Sequence, residues 1–186
     1  QGDPGTGKTI VAIYLLKLIE DIRQSTADDV LDVDSLFSDF FAEGYRETFK
    51  DLSIALVIPQ VSLRSSIRKV FKRTPGLKQD AVMSPFELAK SGKKFDVVIV
   101  DEAHRLQQRA NQPAASQNKD YREINIKLFG KDDIHKTQID WIKECSTHQI
   151  FLVDSAQSVK PADVPSHYLE ALVAEAKKDH SSFRLT

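Results

Sequence analysis

Eight residues near the start of the chain form a phosphate-binding pattern. They fit the pattern G-x-x-x-x-G-K-[ST] at every fixed position. Its glycines let the backbone turn with positive φ, so that several N–H groups converge on a phosphate at the start of a helix. We expect Lys8 to bridge the β- and γ-phosphates of a nucleotide and the Thr9 hydroxyl to bind Mg²⁺. The eight residues are Gly2, Asp3, Pro4, Gly5, Thr6, Gly7, Lys8 and Thr9.

An acidic pair follows an apolar run further along the chain. The run Val97–Val100 lies between polar residues, which predicts a parallel strand buried on both faces. At the carboxyl end of such a strand, Asp101 would hold Mg²⁺, and Glu102 would orient and deprotonate the water that attacks the γ-phosphate. An apolar run before Asp-Glu is weak evidence alone, but here a complete phosphate-binding pattern precedes it.

A second polar pair follows another apolar run. Ile150–Val153 predicts a third buried strand, and Asp154 and Gln157 come after it. Ligands of open α/β sheets bind beyond the carboxyl ends of the strands. We therefore expect this pair to sense the γ-phosphate, with Gln157 hydrogen-bonded to both the phosphate and the attacking water.

A basic segment lies between residues 52 and 79. The apolar run 54–58 predicts a short strand ending at Pro59 and Gln60. The helix that follows has one apolar side and one basic side. A solvated helix face and a nucleic-acid contact explain the charge equally well, but the position at a strand end favours binding. The segment has no acidic residue, and its basic residues are Arg64, Arg68, Lys69, Lys72, Arg73 and Lys78.

The elements that would position these residues alternate between helices and strands. Ile10–Ile22 is apolar on nearly all sides, which predicts a helix buried on most faces. Ser84 before Pro85 predicts a helix over 85–90. Residues 105–136 lack sustained apolar periodicity, which predicts a polar surface insertion with short helices near Ala114 and Ile124, anchored by Tyr121 and Phe129. Further elements are predicted at 81–84 (strand), 138–145 (helix) and 168–178 (helix).

Composition and length limit the class of protein. The chain has 186 residues, 41% of them apolar, which predicts one domain with a real core. A net charge of −1 excludes a uniformly basic nucleic-acid binder but allows a local basic patch. The single cysteine, Cys145, and the absence of a visible signal peptide predict a reducing, cytoplasmic location and a buried, unreactive thiol. No stretch is long enough to span a bilayer.

Four stretches, taken in order, resemble a known family. GDPGTGKT, LVIPQVSLR, VVIVDEAHRL and TQIDWIKECSTHQIFLVDSAQSVKPADV are similar to the Schlafen group 3 DNA/RNA helicase domain, a superfamily 1-type branch of the P-loop NTPases. The resemblance covers nearly the whole chain. It implies a RecA-like three-layer sandwich with a mostly parallel sheet, ATP and Mg²⁺ as cofactors, and single-stranded DNA or RNA as partner.

The resemblance also implies roles for individual residues. His104 would relay between the nucleotide and nucleic-acid sites. Val153 departs from the superfamily 1 pattern, which usually has glycine before the aspartate of the third motif. The segment that contacts the single-strand backbone would consist of Pro59, Gln60, Ser62 and Arg64.

The phosphate loop lies at the very start of the sequence, which suggests how much of a domain the chain contains. Such a loop normally follows a buried strand, so we expect residues 1–186 to be a truncated first RecA-like domain from a longer protein. A second RecA-like domain, which would supply arginines to the transferred phosphate, is absent. We therefore expect poor hydrolysis by this piece alone.

Two alternatives stay open. A regulatory ATPase switch, coupled to a protein partner or effector domain, would use Lys8, Asp101 and Glu102 without needing nucleic acid. A non-catalytic interaction module with a relict nucleotide pocket is disfavoured, because that set of three residues is intact. A GTPase is not expected, because the chain lacks the Asn-Lys-x-Asp guanine motif.

Overall fold

The computed structural model describes residues 7–25, 41, 45–110, 115–154 and 161–178. This part contains one sheet of four parallel strands and seven α-helices, which confirms the α/β prediction and is compatible with a RecA-like layout. None of the helices described has the length and apolar character needed to cross a membrane. The elements are α1 (Lys8–Gln24), α2 (Tyr45–Phe49), β1 (Ile54–Val57), α3 (Val61–Arg73), β2 (Val82–Met83), α4 (Pro85–Lys90), β3 (Phe95–Val100), α5 (Ala115–Phe129), α6 (Gln138–Glu144), β4 (Ser146–Phe151) and α7 (Ser166–Lys178).

The strand order is β2-β1-β3-β4, and every neighbouring pair is parallel. β1 and β3 are central, and their pairing runs from Ile54 opposite Val97 to Val57 opposite Val100. Because all strands run in one direction, their carboxyl ends open onto one edge of the sheet. The polar residues that follow β1, β3 and β4 are thereby brought to the same edge.

Alternate side chains of the central strands enter two separate cores. In β1, Ala55 and Val57 face one core, and Ile54 and Leu56 face the other. Helices α4, α6 and α7 cover the first core, while α1 and α3 cover the second. The sheet therefore has helices on both faces, as expected for parallel strands that are buried on both sides.

Helix α4 begins and ends where its sequence predicts. The Ser84 hydroxyl accepts the Glu87 backbone N–H at 3.1 Å, and the Glu87 carboxylate accepts the Ser84 N–H at 2.6 Å. Pro85 occupies the first helical position, where a missing N–H costs nothing. Such a reciprocal cap stabilises a helix start by about 1 kcal/mol.

Helix α5 corrects the expectation of a polar insertion with only short helices. It runs for 15 residues and buries Tyr121 and Ile124 against Trp141 and Ala89. The Trp141 indole N–H donates to the side-chain oxygen of Asn125 at 2.8 Å. Tyr121 is fully buried, so its predicted anchoring role is confirmed, and burial raises the pKa of its hydroxyl far above the ordinary value.

Two further expectations about burial are wrong. β4 is not the buried strand predicted at 150–153, because it starts at Ser146 and lies at the edge of the described sheet with Ile150 39% exposed. Backbone pairing with β3 sets its start and does not require apolar side chains. α1 is not buried on most faces, because Ile10 is 71% exposed and Tyr14 is 49% exposed.

Candidate active site

The start of α1 has the backbone conformation that the glycine pattern predicts. Gly7 precedes the helix with φ 80° and ψ 19°, in the left-handed region that favours glycine. A Cβ atom added there would meet no described residue within 4 Å, so the demand for glycine comes from the backbone conformation. This turn orients Lys8 and Thr9 at the first residues of α1.

Asp101 lies directly after β3 and is fully buried. The Thr9 hydroxyl donates to one carboxylate oxygen of Asp101 at 2.6 Å. The backbone N–H of Glu102 donates to the other oxygen at 3.0 Å. The backbone N–H of Asp101 donates to the Val57 carbonyl at 2.9 Å, which fixes the aspartate to the end of β1. The structure thus brings together a helix start and a strand end that are far apart in sequence.

Asp154 connects the end of β4 to the same helix start. The Lys8 ammonium lies 3.5 Å from a carboxylate oxygen of Asp154, whose side chain is fully buried. The chain leading to Asp154 is held to β3, because the Leu152 N–H donates to the Val100 carbonyl at 2.9 Å. Three predicted segments therefore meet through Lys8, Thr9 and the two aspartates.

Glu102 has an unusual backbone conformation. With φ 52°, it is the one non-glycine residue with positive φ among the residues that the structure describes. Such a conformation costs about 1–3 kcal/mol, and it is often found at functional sites. It turns the chain from β3 into a 3₁₀ turn, Ala103–Arg105, and leaves the Glu102 carboxylate 3.2 Å from Nε2 of buried His104.

The predicted nucleic-acid segment lies after β1, at the same edge of the sheet. Gln60 and Ser62 are exposed, and Pro59 is half-buried. Arg64 turns back, and its guanidinium donates to the carbonyls of Ile58 at 2.7 Å and Pro59 at 3.1 Å. Burial lowers the pKa of Arg64, Glu87 partly counters that effect, and Arg68 adds to it. Arg64 therefore holds the loop from inside, and its predicted contact with nucleic acid stays a prediction.

Arg68, one turn later on α3, is also bound within the fold. Its Nε and Nη2 atoms donate to the Val82 carbonyl of β2 at 2.9 and 2.7 Å. Nη2 also lies 3.0 Å from both carboxylate oxygens of Glu87. The guanidinium thus connects α3 to the outer strand β2 and to the start of α4. The sequence offered no sign of this role, because the partners are a distant carbonyl and a cap residue.

A clamp that the sequence analysis missed holds the chain beyond the acidic pair. Arg105 lies 3.6 Å from the buried carboxylate of Asp163, and Asp163 forms an antiparallel bridge with Gln107. The Val164 N–H donates to the Leu106 carbonyl at 2.7 Å. The segment after Glu102 is thereby fixed to the segment before α7, which steadies the 3₁₀ turn.

Several predicted site residues lie outside the described residues. They belong to the glycine-rich part of the phosphate-binding pattern and to the end of the third motif. Their predicted roles stay predictions. They are Gly2, Asp3, Pro4, Gly5, Thr6 and Gln157.

The fold and the converging residues define an α/β protein with polar groups gathered at the carboxyl edge of a parallel sheet, a layout compatible with RecA-like domains. The family model for the Schlafen group 3 DNA/RNA helicase domain matches residues 1–186. The chain therefore belongs to this family. No curated protein and no solved structure matched the chain.

Proposed function

We propose that the chain binds Mg²⁺-ATP and hydrolyses it as the first motor domain of a DNA/RNA helicase or translocase. The convergence of Lys8, Thr9, Asp101 and Asp154 carries this proposal. Family membership supports the helicase-type role. The phosphate-binding pattern supports a nucleotide as the ligand.

The residues fit a magnesium ion. Mg²⁺ prefers oxygen ligands, and it is bound through few protein groups plus water and phosphate oxygens. The Thr9 hydroxyl and the Asp101 carboxylate supply two such groups, 2.6 Å apart. One lies at the start of α1 and the other directly follows β3. When bound, the ion would neutralise charge on the β- and γ-phosphates. The Lys8 ammonium would contact the same phosphates, either in place of its ion pair with Asp154 or in addition to it.

Glu102 would act on the attacking water. Its carboxylate would accept a proton as the water oxygen bonds to the γ-phosphorus and the bond to the bridging oxygen breaks, releasing ADP and phosphate. His104, 3.2 Å away, would orient this carboxylate and relay its state to the loop after β1. Asp154 and Gln157 would sense the γ-phosphate. Pro59, Gln60 and Ser62 would contact a single strand, and Arg64 would support that contact by holding the loop after β1.

Steady-state ATP turnover, with and without single-stranded DNA and RNA, tests this proposal. We expect slow Mg²⁺-dependent turnover that nucleic acid stimulates and that Glu102→Gln abolishes. Turnover that ignores nucleic acid would instead favour the regulatory ATPase switch. Undetectable turnover together with retained ATP binding would favour the relict pocket.

A further inference from the structure

We infer that the outer face of α3 binds the phosphate backbone of a single strand, and that the cations responsible are Lys69, Lys72 and Arg73 rather than Arg64 and Arg68. This inference rests on the proposed function and assigns its nucleic-acid surface. It starts from how α3 uses its basic residues, which the structure divides into two groups.

The first group, Arg64 and Arg68, is already occupied. Their guanidinium groups donate to backbone carbonyls of Ile58, Pro59 and Val82. Both also lie within 4 Å of the Glu87 carboxylate. Binding a phosphate would require these arginines to give up contacts that hold α3 to the sheet, so they are poor candidates for a ligand surface.

The second group, Lys69, Lys72 and Arg73, is exposed, and none of these three cations has an ion-pair partner in the described part of the chain. They lie on the side of α3 opposite Ile67 and Phe71, which are buried in the core. Their charge is therefore available to an external anion.

Hydroxyl groups extend this surface toward the candidate site. Ser62, Ser66, Lys69 and Arg73 follow the spacing i, i+4, i+7 and i+11, which places them along one stripe of a helix. Ser65 and Lys72 lie beside it and are also exposed. We call this set the basic stripe. Serine, lysine and arginine are the usual donors to phosphate oxygens in nucleic-acid complexes.

The length and position of the basic stripe suit a nucleic-acid strand. At 1.5 Å per residue it is about 16 Å long, which is enough to contact consecutive phosphates of one strand. It begins at Ser62, next to the loop after β1, and β1 is adjacent to β3, which Asp101 directly follows. A strand on the stripe would thus lead to the edge where the proposed nucleotide site lies.

Salt-dependent binding tests this inference. Each phosphate contact on a single strand contributes about 0.7 to the slope of log K against log salt. The double variant Lys69→Gln/Lys72→Gln should therefore reduce the magnitude of the slope by about 1.4. At 0.1 M salt this corresponds to about 25-fold weaker binding, if the contribution of these two contacts vanishes near 1 M salt. The assay is fluorescence anisotropy of labelled oligo-dT and oligo-U over 0.05–0.3 M salt.

The matched control is Lys177→Gln/Lys178→Gln. These lysines are exposed in the last turn of α7, which packs on the opposite face of the sheet.

A smaller slope in the α3 variant alone supports the inference. Equal changes in both variants, or no change in either, would overturn it while leaving nucleic-acid binding as a function. If polyglutamate binds the stripe as well as oligo-dT at equal charge, the partner is an acidic protein and the inference is also overturned. If the unmodified protein binds neither DNA nor RNA, the nucleic-acid part of the proposed function itself fails.

Discussion

Replacing Arg68 tests whether this arginine stabilises the fold rather than binding a ligand. Arg68→Gln removes the contacts to the Val82 carbonyl and to Glu87. A hydrogen bond from a charged group contributes about 1.5 kcal/mol at the low end. The pair with Glu87 adds about 0.5 kcal/mol, because side-chain exposures of 36% and 48% leave it well screened by solvent. We therefore expect a loss of about 2 kcal/mol in the free energy of unfolding.

Urea unfolding measures this loss. Trp141 is the single tryptophan and is fully buried, so its fluorescence reports unfolding of the core between α4, α5 and α6. With a slope of about 2 kcal/mol per molar urea, the midpoint should fall by about 1 M. Arg73→Gln is the matched control, because Arg73 is exposed at the end of the same helix, and it should change stability by less than about 0.5 kcal/mol.

The same two variants should behave in the opposite way in nucleic-acid binding. Under conditions where both are folded, Arg73→Gln should lower the salt slope by about 0.7 and Arg68→Gln should leave it unchanged. Equal midpoints for the two variants would refute the structural role of Arg68. So would a lower salt slope for Arg68→Gln with the midpoint unchanged.

Three further predictions concern other contacts. Asn125→Ala leaves the buried Trp141 N–H without its acceptor, and the free energy of unfolding should fall by about 1–3 kcal/mol in urea titrations. The side-chain and backbone hydrogen bonds from Ser53 hold the pKa of Asp96 below its ordinary value, so Ser53→Ala should raise that pKa in a carbon-detected NMR titration. Because the pKa of Asp96 is lower in the folded state, the stability that this carboxylate contributes is present above its unfolded pKa. That stability is lost as the pH falls through the folded pKa. Cys145 is buried, and burial together with Glu144 raises the pKa of its thiol, so the thiol should react with an aromatic disulfide only when the protein unfolds.

Local signals predicted some elements well. Ser84, Pro85 and Glu87 form a cap that depends on neighbouring residues alone, and α4 has the bounds that the sequence indicates. Apolar runs likewise predicted β1 and most of β3, because strands buried on both faces are nearly continuous in apolar residues. The sequence also predicted that Thr9 and Asp101 lie close together, because both motifs belong to the carboxyl edge of a parallel sheet. Only the order of the strands had to come from the structure.

Other features depended on contacts between distant residues. α5 has a polar surface, and its buried residues Tyr121, Ile124 and Asn125 follow a short i, i+3, i+4 pattern that could have indicated a helix. β4 has polar exposed positions, which an edge strand tolerates, so an apolar run predicted only its end. The roles of Arg64 and Arg68 had no local sign, because their acceptors are carbonyls that the fold brings to them.

The most direct test of the proposed nucleotide site is equilibrium binding of a fluorescent ATP analogue, which does not depend on a second domain. We expect Mg²⁺-dependent binding that Lys8→Ala weakens at least about tenfold, since a charged contact of about 1.5 kcal/mol or more is lost. Glu102→Gln should bind with unchanged affinity, because Glu102 would act on water rather than on the nucleotide. Equal affinities for the unmodified protein and Lys8→Ala, or binding that is indifferent to Mg²⁺, would contradict the assignment of this edge of the sheet as an ATP site.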